Sequence, residues 1–346
     1  PKTGSQRLSM AGGINNLGTT VGPLLVSIAI FGSVSSGSSV ASIESVKTPY
    51  LALGLAFIAV AIFFKFSSVP NKIDLDQVAT EEASNKDAVL HKKSVFQYPQ
   101  LWMGMIGIFV YVGVEVATAS NLPEYMRQHL HIETEKIAPF VSLYWASLMI
   151  GRWTSSVGAF GVSESKQKVL NFIMPYLAFA VFLIVNAIAQ HDITQFYIYG
   201  VVIIAMIIGN ILSKGSPARM LLIYSGMGIV ALLIGMFTNG MVSAFAFISV
   251  GLFCSTLWPC IFTLAVAGLG KHTNEGSSFL IMMIMGGGFI SVLQGWVASD
   301  KILGIQYSYV VGVACFAYLA FYAVRCKRIL KSQGIDYDVT ASGGGH

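Results

Sequence analysis

Apolar runs of 17 to 28 residues, parted by short polar breaks, account for most of this chain. They lie near 10–32, 50–66, 101–122, 137–160, 169–189, 196–213, 219–237, 241–268, 278–298 and 307–325. The second and sixth, at 17 and 18 residues, are the shortest. A helix needs about 20 apolar residues to cross some 30 Å of hydrocarbon. The pattern therefore predicts an all-α polytopic membrane protein with about ten transmembrane helices.

The polar breaks set an orientation. With the N-terminus inside and the spans alternating, the inner side collects all of the Lys and Arg residues except Lys47, Arg127, Lys136 and Lys301. That bias predicts cytoplasmic termini by the positive-inside rule. Arg152 counts as inner although it lies within a segment. The longest polar stretch, Asn71–Gln97, carries both charge signs and reads as a cytoplasmic linker. It divides the chain into 1–70, the end of an N-terminal bundle with two helices; 71–98, the linker; 99–331, a C-terminal bundle; and 332–346, a disordered cytoplasmic tail. The Gly/Ser-rich stretch 32–42 reads as an outer loop. Gly18-Thr-Thr-Val-Gly-Pro-Leu-Leu has an echo in Gly286-Gly-Gly-Phe-Ile-Ser-Val-Leu, which would suit two parallel halves.

Composition agrees. The chain is 55% hydrophobic and 11% charged, with a mean hydropathy of +0.70, whereas soluble chains carry about 25% charged residues. The net charge of +5 is dispersed near helix ends, which argues for membrane topology and against a nucleic-acid partner. Four cysteines make neither a CxxC nor a metal spacing. Ala265–His272 fails as a phosphate loop, lacking Gly at 265 and Ser/Thr after Lys271. His129, His131, Glu133 and Glu135 read as a solvated turn, and no metal or cofactor is expected. Starting at Pro1 without a signal peptide, the chain reads as processed or as a fragment.

One carboxylate stands out. Glu115 lies inside the run Leu101–Leu122, roughly 5 Å from its midpoint. A charge there costs at least about 2.5–3.5 kcal/mol and normally faces a cavity or a partner. Tyr111, Glu115 and Thr118 share a helix face, while Ser120 and Asn121 turn away toward the outer end. Such a group can bind substrate or carry a proton; the plainer reading is a protonated acid bonded to a neighbouring helix. Trp258-Pro259 lies inside the segment 241–268, where Pro breaks the backbone ladder and Trp offers a flat face, or merely packs. Asn15 and Asn16 point about 100° apart, so one of them reaches a central cavity. Gln294 holds the corresponding outer position of the ninth segment. Arg152 either ties a gate or snorkels to headgroups.

Several stretches resemble a known family. Cys254-Ser-Thr-Leu-Trp-Pro-Cys-Ile-Phe-Thr-Leu-Ala, continuing to Gly268-Leu-Gly-Lys, Gly276-Ser-Ser and Gly286-Gly-Gly, looks like the major facilitator superfamily. Within it, the fucose–glucose–galactose:proton symporter family is the nearest. Arg7-Leu-Ser-Met-Ala with Leu17-Gly-Thr-Thr resembles the family's fifth helix, Tyr111-Val-Gly-Val-Glu the seventh, and Tyr144-Trp with Gly151-Arg152 the eighth. The chain departs from the family in three ways. It begins just before the fifth of twelve helices, so the N-terminal bundle is incomplete; a helix pair stands inserted at about 162–213; and Ser9 and Gly12 replace an Asn and a Gln.

The resemblance implies a two-bundle bacterial inner-membrane transporter, monomeric in the bilayer, moving a monosaccharide with protons. Asn15, Asn16, Tyr111, Glu115, Asn121, Trp258 and Gln294 would meet the sugar, with Glu115 also coupling protons and Arg152 and Pro259 gating. A transporter of another small molecule, or a membrane sugar sensor, is the alternative. The spans show no catalytic cluster, which argues against an enzyme.

Overall fold

The computed structural model describes residues 4–31, 43–67, 94–157 and 163–335. Every element among them is helical. In chain order these are α1 (Gly4–Phe31), α2 (Ile43–Phe66), α3 (Pro99–His129), α4 (Thr134–Ser156), α5 (Glu164–Ile188) and α6 (Tyr199–Ser213). There follow α7 (Pro217–Phe237), α8 (Gly240–Cys254), α9 (Leu257–Val266), α10 (Thr273–Met282), α11 (Gly286–Val297) and α12 (Val310–Ser332). Proline opens α3 and α7, where its missing N–H is no loss. The loop 32–42 and the tail from 336 lie outside the described residues. Of the expected linker only 94–97 falls within them: Ser94 Oγ accepts from Phe96 N at 3.4 Å and caps a 3-10 turn at Val95–Gln97.

Among the described residues, seven stretches are long and apolar enough to cross a membrane, all of them from Pro99 onward. Among these, Gly240–Val266 and Gly270–Val297 are broken crossings, α8 with α9 and α10 with α11, and Gly304–Ser332 opens with a separate short helix, Gly304–Tyr307. Tyr50–Phe66 is a shorter apolar helix, and α1 and α4 have 28 and 23 residues. The chain is thus an all-α polytopic membrane protein.

One expectation needs correction. The sequence reads 241–268 as a single helix with Pro259 inside it. Instead the helix stops at Cys254, turns at Ser255-Thr256 and restarts at Leu257, so Trp258 and Pro259 occupy the first turn of α9. Proline is tolerated there because first-turn N–H groups lack an intrahelical acceptor. Likewise the ninth segment begins at Thr273 and is interrupted by a 3-10 turn at Met283–Met285. Apolarity alone cannot show such breaks.

α3 is the central helix, packed on α8, α9, α11 and α12. Small residues allow the close approaches, since lipid supplies no hydrophobic drive between spans. Gly286 faces the main-chain carbonyl of Phe109 so closely that no side chain would fit. Gly151 on α4 does the same against the Ser255 side chain. Across the two parts of the chain, α1 lies along α4 and touches α9. α2 packs on α1, leaving Tyr50–Phe66 exposed as an apolar surface suited to hydrocarbon. At the edge, α5 packs on α4, and α6 on α7 and α8.

Candidate functional site at Glu115 and Arg152

Because Tyr111 and Glu115 are four apart on α3, they face one way. Arg152, four residues before the end of α4, meets them there. Its Nη2 donates to the Tyr111 hydroxyl at 3.3 Å and lies 3.9 Å from Glu115 Oε2. The two charged side chains are only 12% and 13% exposed, so each is the other's main compensation for lost water. Tyr144 donates to the Glu115 carbonyl at 2.7 Å and fixes α4 against α3.

The other Arg152 donors reach α1 and the helix break. Nη1 donates to Asn16 Oδ1 at 3.0 Å and to the Gly12 carbonyl at 3.4 Å. Trp153 Nε1 donates to the Gly13 carbonyl at 3.2 Å. This docking depends on the glycine pair. A Cβ on Gly12 would sit 3.0 Å from Arg152 Nη1, and one on Gly13 would sit 2.7 Å from Trp153 Cδ1. The missing side chain at Gly12 thus gives Arg152 its space.

The last donor reaches the helix break. Arg152 Nε donates to the carbonyl of Ser255, in the turn before α9, at 3.3 Å. Arg152 thus holds the turn from which α9 and its Pro259 start. Trp258 borders the cluster, half-buried, its ring 6.2 Å from that of Tyr111 at 58°.

Of the sequence candidates, the structure brings together Asn16, Tyr111, Glu115, Arg152 and Trp258, whereas Pro259 lines a separate cavity. Asn15 is exposed, as expected if one amide of the pair turns inward. Asn121 donates to its own helix at Ala117, 2.8 Å away. Gln294 is buried in α11 and reaches Ser308 Oγ at 3.5 Å, not the cluster. Buried polar atoms nevertheless remain without partners beside Glu115: Asn16 Nδ2 and Thr118 Oγ1. Sequence reading missed Ser255, whose only signal was a proline four residues later, and gave Tyr144 no role. In the turn after α3, His129 stacks on Tyr125 at 5.3 Å and Glu133 pairs with Lys136 at 2.8 Å. Among the described residues no three His, Cys, Asp or Glu come together.

Comparison with known proteins gives one direction. No protein-family model matches the chain. It is 28% identical over 326 residues to a glucose/galactose transporter of Brucella abortus, covering 94% of this chain and 64% of the relative. To a putative glucose/galactose transporter of Helicobacter pylori it is 29% identical over 333 residues, covering 93% and 66%. To the L-fucose-proton symporter of Escherichia coli it is 33% identical over 113 residues, 33% of this chain and 26% of that one. The chain thus spans about two thirds of the length of its full-coverage relatives. Among solved structures, the E. coli fucose:proton symporter FucP superposes with a TM-score of 0.63 at 19% identity, covering 94% of this chain and 69% of the other. A structure of FucP, a major facilitator superfamily transporter, in the outward conformation gives 0.62 at 21% identity, with the same coverage. These relatives are transporters, not enzymes. The fold is that of FucP, and in sequence the chain is similar to glucose/galactose transporters and L-fucose-proton symporters.

Proposed function

We propose that this protein takes up a monosaccharide of the glucose, galactose or fucose type together with protons, by alternating access. The observation that carries this reading is the Arg152 cross-link, which ties α1 to α3 and α9 beside a membrane-buried carboxylate. With Glu115 ionised, the guanidinium is compensated and holds α1 in place. A proton on Glu115 removes that compensation, and an unpaired buried cation is unfavourable by several kcal/mol. The cluster is then held only by the hydrogen bonds of Arg152, and α1 moves more readily. Substrate hydroxyls meet the unpartnered Asn16 Nδ2 and Thr118 Oγ1, with Trp258 as the apolar face.

The names of the relatives favour hexose and proton as substrate and driving ion. The basic end of the spans faces the cytoplasm, where the first helix starts and the last one ends, in a bacterial inner membrane. The chain works as a monomer. α5 and α6 are an added pair beside the C-terminal bundle, a reading supported by their place at its edge. The test is uptake of labelled D-glucose and D-galactose by the complete reading frame across a pH range. Glu115→Gln should abolish the pH dependence; an unchanged profile would remove Glu115 from coupling.

A further inference from the structure

A second polar space lies apart from the Glu115 cluster, toward the end of the molecule where α1 begins. It is a cavity of about 150 Å³ between α1, α4, α5, α6, α7 and the turn before α9. Thr256 lines it, is 1% exposed, and its Oγ1 has no partner. Gln6 Oε1 and Ser155 Oγ, on half-buried residues of the same wall, are also unpartnered. Native interiors seldom leave such groups unmet, because each costs about 1–3 kcal/mol. Three of them opening on one cavity call for an occupant with hydroxyls of its own.

The wall also fixes the occupant's charge. Gln167, Asn171 and Asn210 line the cavity with their amides, and among the described residues no Lys, Arg, Asp or Glu lines it. Asn210 Oδ1 accepts from the Tyr224 hydroxyl at 2.8 Å, leaving its amide nitrogen as a donor. An anion or a cation in this space would lack a counter-charge. A neutral polyol would find both donors and acceptors. About 150 Å³ is enough for a six-membered ring.

We infer that this cavity is a second binding site for a neutral hexose, a vestibule that the sugar occupies between the Glu115 cluster and the membrane surface. The inference rests on the sugar reading above. It also gives α5 and α6 a task, since they supply the three amides. The two sites meet back to back at the turn before α9: the Ser255 carbonyl serves Arg152, and Thr256 serves the vestibule.

The test is cysteine protection in permeabilised membranes, with Asn171→Cys, and Gln167→Cys as a second reporter. The native cysteines are all buried, and every reporter chain also carries Cys260→Ser, because Cys260 lines the cavity, so that background labelling is low. D-glucose should slow maleimide labelling. Thr256→Val should raise the half-protecting concentration about fivefold, the worth of one hydrogen bond, and Trp258→Leu should leave it unchanged. Protection that is lost with Trp258→Leu but indifferent to Thr256→Val would report the central site alone and overturn the vestibule. Absence of protection in membranes that bind labelled glucose by dialysis would mean a cavity for water only; the sugar reading would then stand without the second site. Neither protection nor binding would overturn both.

Discussion

Replacing Glu115 by Gln keeps the shape of the cluster and removes the counter-charge of Arg152. At 3.9 Å the pair attracts by about 4 kcal/mol at an effective dielectric of 20. The guanidinium keeps the Gly12, Asn16, Ser255 and Tyr111 acceptors, so the net loss should be about 3 kcal/mol. For a chain of this size that lowers the midpoint of thermal unfolding by about 4 °C. Four buried free cysteines make a thiol-reactive dye a direct reporter of unfolding. A double-mutant cycle with Arg152→Met isolates the charge pair from the bonds to α1. The two changes together should cost about 3 kcal/mol less than their sum. A coupling below about 0.5 kcal/mol would show two independent sites and would refute the latch.

Gly286→Ala should destabilise the protein by about 1–3 kcal/mol, because its Cβ meets the Phe109 main chain, which cannot yield. Gly288→Ala, with open space around its Cβ, should be neutral or stabilising by up to about 1 kcal/mol in the same dye assay; equal effects would discount the close approach. Gly12→Ala and Gly13→Ala should push α1 from α4 and lower the yield of disulfide cross-linking between cysteines engineered on those helices. Unchanged cross-linking would mean that Arg152 and Trp153 do not hold them.

The spans were legible because each apolar run approaches the thickness of a bilayer. Glu115 was legible because a carboxylate in such a run is costly. Its partner was not. Arg152 reaches Glu115 only through the rotation of α4 against α3 and the missing side chain at Gly12, both properties of packing. The break before Leu257 was hidden for a related reason: Cys254-Ser-Thr-Leu-Trp-Pro is apolar enough to read as one helix, and the effect of proline falls four residues upstream. Gln294 and Asn121 read as cavity residues because they are amides in apolar helices. Each instead meets a nearer acceptor or hydroxyl, which periodicity does not reveal.

The Ser255 carbonyl has one consequence for how this gate can vary. The acceptor belongs to the main chain, so no substitution at position 255 removes it. It lies in the turn between α8 and α9, so its direction is set by the break itself. A change that straightened the break into one helix would turn this carbonyl along the helix axis and away from Arg152.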